Sequence, residues 1–208
     1  MKMMKFLLLV ATMAALSACS KDHVPAVTEE GNVIRFVAMH PSQTRVTDTN
    51  FEVNDTIGVY ITASDAPLQL GGNEMNNEKF IYDGSAWNST RKMYWNEGQH
   101  NVYAYYPYVK VVNDIEDFTF TVSLDQNAPA SAGKLGGYEA SDFLWASAMA
   151  VEGSSEPVSL KFSHRMSKVL VRLTKSEDYE GDFPSDIEVY IHNTVPVASI
   201  SLSTGDVS

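Results

Sequence analysis

Three observations predict an all-β fold, an antiparallel sandwich or barrel. Apolar and polar residues alternate with a period of two along one segment after another. Turn-forming residues interrupt these segments at short intervals, leaving room for roughly ten strands. Beyond the N-terminus no stretch carries a sustained 3.6-residue pattern, and the strand-helix alternation that builds parallel α/β sheets is absent.

The first strand, residues 32–39, sets Ile34, Phe36 and Ala38 on one face against Val33, Arg35 and Val37 on the other, the pattern of a half-buried strand. Residues 57–62 are β-branched and aromatic. Phe80-Ile81-Tyr82 and Ala86-Trp87 flank Asp83-Gly84, a pair that tolerates the positive φ of a tight hairpin turn. Met93-Tyr94-Trp95, a polar turn at 96–99 and residues 102–106 are expected to form a second hairpin, ended by Pro107. Further strands are expected at 118–124, 142–146, 158–162, 168–174, 187–192 and 198–202. Residues 163–167 hint at a short helical turn, and the Gly-, Ala- and Ser-rich residues 127–138 at a long surface loop. After Ile200 and Leu202 comes a turn at Ser203-Thr204-Gly205-Asp206 with only Val207 and Ser208 to return. The chain is therefore expected to stop mid-hairpin and to present an open edge.

The N-terminus reads as an address. Lys2 and Lys5 precede an apolar run at 6–15, and Leu16-Ser17-Ala18-Cys19 follows, so residues 1–18 have the form of a secretory signal peptide. The run is too short for a permanent membrane span, which takes about 20 residues. Leu-Ser-Ala-Cys resembles the bacterial lipobox, which makes Cys19 the expected lipid anchor, with each buried acyl methylene contributing about 0.8 kcal/mol to membrane attachment. Residues 19–31, with Pro25 and scattered charges, read as a flexible tether, and residues 32–208 as the folded domain. Cys19 is the only cysteine, so no internal disulfide can form and the core must hold by packing.

Charge narrows the function. The formal net charge is -11, and loss of Lys2 and Lys5 takes it to -13. Such a polyanion has no electrostatic reason to bind nucleic acid. Chemistry is sparse as well. The five histidines are dispersed without metal-ligand spacing, and nucleophile-elbow, P-loop and dinucleotide glycine patterns are absent, so neither a metal, a cofactor nor an enzymatic activity is expected. Ser163 and His164 are adjacent, which suits a capped turn better than a catalytic pair. Asp114, Glu116 and Asp117 read as loop charge before they read as glycosidase acids. Tyr94, Trp95, Tyr103, Tyr105, Tyr106 and Tyr108 form the densest aromatic cluster. Alternation sends Tyr103 and Tyr105 to one face and Val102, Ala104 and Tyr106 to the other, so core packing is the leading account and glycan stacking the alternative. Asp55-Thr56-Ile57 resembles a short O-glycosylation signature.

Several features stand in order: the lipobox, the strand at 33–39, Thr44-Arg45, Asn54-Asp55-Thr56-Ile57-Gly58-Val59-Tyr60, Val102-Tyr103-Ala104-Tyr105-Tyr106-Pro107-Tyr108, Asp142-Phe143-Leu144-Trp145-Ala146, and Leu160-Lys161-Phe162-Ser163-His164-Arg165-Met166-Ser167-Lys168-Val169. Together they resemble the fimbrillin family, subunits of Bacteroidetes type V pili. The resemblance implies a transthyretin-like β-sandwich of Greek-key type, exported as an outer-membrane lipoprotein to the cell surface. A protease would then cut it after an arginine in an early loop, and the vacated first strand would be replaced by a strand from a neighbouring fimbrial subunit. Members of the family carry a further C-terminal domain, which this chain is expected to lack. In the polar loop at 40–50 Arg45 is the only lysine or arginine, so the expected cut lies between Arg45 and Val46. The function implied is structural or accessory, adhesion by strand exchange. The alternative is a surface lipoprotein that binds glycans through the aromatic cluster, and a host or glycan ligand belongs to either.

Overall fold

A computed structural model describes residues 32–40 and 50–208. Ten strands follow in chain order: β1 (Phe36–Met39), β2 (Thr56–Ala63), β3 (Met75–Tyr82), β4 (Trp87–Ser89), β5 (Gln99–Tyr106), β6 (Phe118–Thr121), β7 (Leu144–Glu152), β8 (Val158–Lys161), β9 (Ser163–His164) and β10 (Val197–Ile200). A 3-10 turn at Glu139–Ser141 is the only helical element among the described residues.

The central sheet has the order β4-β3-β2-β5-β7-β9 and is antiparallel throughout. β2, β3 and β4 form a meander and β5 returns to the free edge of β2, which is a Greek key. β2 lies at the middle because it has no polar face to offer: Ile57, Val59, Tyr60 and Ile61 are all buried. At Gly58 the backbone passes directly beneath the Tyr105 ring, and a Cβ there would run into the ring and into Asn77 Oδ1. Tyr105 Oη in turn donates to Asn77 Oδ1 at 2.7 Å, and Asn77, at φ 44°, donates to Val109 O at 2.9 Å, which closes a small polar lock across β2, β3 and β5.

Both faces of the sheet are covered, and alternation along β5 assigns each residue to a core. Val102, Ala104 and Tyr106 join Ile57, Val59, Ile61, Phe80, Trp87, Leu144 and Leu160 in the first core. Tyr103 and Tyr105 join Tyr60, Phe118, Phe120, Phe143, Ile200 and Leu202 in the second. The first core is roofed by β1 paired with β8, the second by β6 paired with β10. β8 and β9 are one run of chain that changes sheets at Phe162, whose N–H donates to Met39 O at 3.0 Å while Ser163 pairs with Trp145.

The antiparallel sandwich is as expected, with one parallel pair in it, β1-β8. Several expectations are corrected. The second hairpin does not form. Residues 93–95 pair with the N-terminal segment, Ile34 N–H donating to Met93 O and Trp95 N–H to Asn32 O, both at 2.9 Å. β5 has two apolar faces, and a place between two long strands satisfies both of its edges. Residues 168–174 and 187–192 alternate like strands yet have no ladder, and Leu170 is 73% and Tyr190 69% exposed. β propensity is realised only where a neighbouring strand supplies partners, and among the described residues neither segment has one. Residues 163–167 are strand and exit from strand rather than a helical turn, because Arg165 N–H is taken by Phe143 O at 2.8 Å. The C-terminal turn does return, with Ser199 and Ser208 exchanging two backbone hydrogen bonds at 3.0 Å. Residues 127–138 form a loop as expected.

Candidate functional site

The site is the slot that β1 fills. Alternation sends Ile34, Phe36 and Ala38 inward, where Ile34 and Phe36 are buried, while Arg35, Val37 and Met39 face out. Phe36 anchors the strand, its ring edge-on to Phe80 at 5.0 Å between centroids. On one side β1 runs parallel to β8 in the register Phe36–Val158, Val37–Ser159, Ala38–Leu160 and Met39–Lys161, with Val158 N–H donating to Arg35 O at 2.9 Å. On the other side the chain just before β1 meets residues 93–95 antiparallel through the single bridge Val33–Tyr94. There Asn32 Nδ2 donates to Trp95 O at 2.7 Å. β1 thus closes the first core between β8 and the segment after β4.

Where β1 ends, an aromatic cluster begins. His40 packs edge-on against Phe51 at 5.1 Å and against His164 at 5.6 Å. Phe51 in turn meets Trp87, Phe162 and Tyr106 at 5.0, 5.4 and 5.8 Å. His40 and Phe51, which flank residues 41–49 and Asn50 in the sequence, are therefore held in one cluster. Tyr106 Oη donates to Asp55 Oδ1 at 3.2 Å, and burial holds the Asp55 carboxyl and the Tyr106 phenol above their ordinary values. His164 Nδ1 lies 2.7 Å from Asp142 Oδ1. Beside this region an open groove of about 790 Å³ runs between residues 52–56 and residues 130–135, with Glu52, Asp55, Lys79 and Lys134 on its walls.

The residues expected from sequence fall as follows. Cys19, Arg45 and Val46 lie outside the described residues; the described ends of the loop that carries Arg45 are His40 and Asn50. Of the aromatic cluster, Trp95, Tyr103, Tyr105 and Tyr106 are buried in the cores, which removes them from any sugar-stacking surface; Tyr94 is exposed and Tyr108 half-buried. Ser163 Oγ donates to Trp145 O at 3.3 Å, so its hydroxyl is directed away from His164. The acidic trio pins the C-terminus. Asp114 accepts from the N–H groups of Glu116 and Asp117, Glu116 from the Ser201 and Ser203 hydroxyls, and Asp117 from the Ser199 hydroxyl. No group of three potential metal ligands occurs among the described residues.

Sequence reasoning missed two parts of the slot. Phe51 stood at the edge of a loop taken to be polar, and its isolation there as a large apolar residue was the available signal. The pairing of β1 with β8 had none, since parallel partners more than a hundred residues apart leave no local trace.

A profile of the fimbrillin-like family matches residues 44–208, which is most of the chain. The Bacteroides ovatus protein Fim1C, named for a fimbrium tip subunit, is 29% identical over 95% of this chain; the chain spans 40% of that relative's length. A crystal structure described as a cell adhesion protein from Bacteroides ovatus superposes with a TM-score of 0.57 at 18% identity, over 84% of this chain and 65% of the other, a likeness that concerns the fold.

Proposed function

The chain belongs to the fimbrillin-like family, and on that premise we propose that it is a non-enzymatic subunit of cell-surface fimbriae that serves adhesion and joins its neighbours by exchange of the strand in the β1 slot. The observation that carries this reading is the way β1 is held. It roofs the first core with apolar side chains and a backbone ladder, and it lies at the N-terminal end of the fold, ahead of the loop that contains Arg45. Cleavage after Arg45 separates β1 from everything else in the core. The family match begins at residue 44, beyond β1, which supports a mature domain that does without that strand. A replacement strand that buries three side chains at about 1.5 to 3 kcal/mol each, with its own ladder, makes a firm joint between subunits.

Before processing, Cys19 carries the lipid that holds the precursor to the outer membrane, and residues 20–31 give the folded domain reach. A protease that recognises arginine then frees residues 46–208 for assembly with other fimbrial subunits. No helix among the described residues is long and apolar enough to cross a membrane. N-terminal sequencing of the surface-assembled form tests the scheme, with Val46 the expected first residue. A mature chain that begins upstream of Phe36 would retain β1 and end the proposal.

A further inference from the structure

The direction of β1 is set by what it is tied to rather than by the pairing it makes. Phe51 follows Met39 by twelve residues in the sequence, and it is fixed by Trp87, Tyr106 and Phe162. With its C-terminal end held at that cluster, where His40 meets Phe51, β1 runs parallel to β8 along four residue pairs and leaves antiparallel geometry only to the single bridge at Tyr94. Parallel ladders have slanted hydrogen bonds and are the weaker kind per residue. A strand arriving from another chain carries no such tether. If it entered the slot in the opposite sense it would convert the four-residue ladder with β8 to antiparallel and place only the one bridge in parallel geometry.

The inward positions also specify what fits. Along β1 they run branched aliphatic at Ile34, aromatic at Phe36 and methyl at Ala38, ending at the His40 ring against Phe51. A strand of opposite direction meets these places in reverse. Resting on the strand-exchange reading above, we propose that the partner segment runs antiparallel to β8 and presents, from its N- to its C-terminus, a small, an aromatic and a branched aliphatic residue at alternate positions. Its intervening positions are exposed, like Arg35, Val37 and Met39, and do not discriminate.

The test uses the full chain with Cys19→Ser, Lys161→Cys and a recognition site for a site-specific protease in place of residues 42–47. Lys161 is exposed and sits opposite Met39, so a cysteine there reports which end of an incoming strand lies beside it. After nicking, two peptides compete for the slot: one with the order of residues 33–39, the other with that order reversed, each made with a cysteine at either end. The reversed peptide is expected to displace the nicked segment with about tenfold higher affinity and to form its disulfide through its N-terminal cysteine. Exchange of its Phe and Ala should weaken it at least as much. If the forward peptide binds as well or better and links through its C-terminal cysteine, the assigned direction is wrong while strand exchange stands. If neither peptide displaces the segment, strand exchange itself is wrong.

Discussion

The two cores are built on the same sheet yet roofed in different ways. β6 and β10 close the second core and are fastened with directional bonds. Trp145 Nε1 donates to Leu202 O at 2.8 Å, Leu202 N–H to Ile115 O at 2.7 Å, and the Ser201 and Ser203 hydroxyls to Glu116 at 2.7 and 2.9 Å. Apart from the Asn32 amide on Trp95 O, just ahead of it, β1 closes the first core with side chains that have no polar atoms on its inward face before His40, and with a backbone ladder that any extended chain can offer. Apolar contact is non-directional, so a strand of matching size can take its place, whereas a set of side-chain hydrogen bonds fits one partner and leaves costly unmet groups when that partner goes. On the strand-exchange reading one roof is replaceable and the other is not.

The largest effect that separates the roofs should come from their aromatic anchors. Phe143 is fully buried and touches Tyr105, Phe118 and Phe120, so Phe143→Ala is expected to cost about 3 to 5 kcal/mol of global stability in a denaturant titration. Phe36→Ala removes a ring of the same size, but from the strand proposed to be exchangeable. It is expected to cost about 3 kcal/mol at most globally, while the amides of β1 lose hydrogen-exchange protection well before those of β5. Equal global losses, with β1 and β5 exchanging together in both variants, would mean that the two roofs are equivalent.

A smaller effect tests the fastening. Glu116→Ala strands the Ser201 and Ser203 hydroxyls at a water-accessible edge, so a cost of about 1 kcal/mol is expected. Amides near β10 should exchange faster and those of β1 at an unchanged rate. Equal acceleration in β1 would show that the cores open together.

The layout of the cores was legible in sequence wherever both partners of a contact obey the same local rule. Period two on residues 33–39 and 102–106 placed Ile34, Phe36, Val102, Tyr103 and Tyr105 on the correct faces, and Asp83-Gly84 marked a real hairpin with Gly84 at φ 99°. What was not legible depends on distant neighbours. Met93–Trp95 was close in sequence to β5 and suited to pair with it, but the N-terminal segment and β2 competed for the same edges and won. Residues 168–174 show the converse, since a strand-forming pattern makes no strand without a neighbouring edge. The acids at 114–117 read as loop charge, because their partners, the serines at 199, 201 and 203, lie more than eighty residues away.

The smallest effect lies in the exposed β3-β4 turn beside the first core and is a matter of pH. Asp83 Oδ1 accepts from the N–H groups of Ala86 and Ser85 at 2.8 Å and from the Ser85 hydroxyl at 2.9 Å, and Oδ2 accepts from Asn88 Nδ2 at 2.7 Å. These donors, the Ala86 and Ser85 amides foremost, hold the carboxyl down at about 2, against 3.8 for a free aspartate. A folded value below the unfolded one means that the contribution is present above 3.8 and is lost as pH falls toward 2. Asp55 has the opposite sign: its raised value means that its contribution is present below 3.8 and is lost as pH rises through the folded value. Asp83→Asn should therefore remove part of the acid loss of stability between about pH 4 and pH 2 without touching the opposing Asp55 component. Unfolding midpoints followed across that range by tryptophan emission would show it. An unchanged acid limb in Asp83→Asn would mean that the β3-β4 turn keeps its shape without the carboxylate, and that the first core is no more acid-labile at this wall than the second.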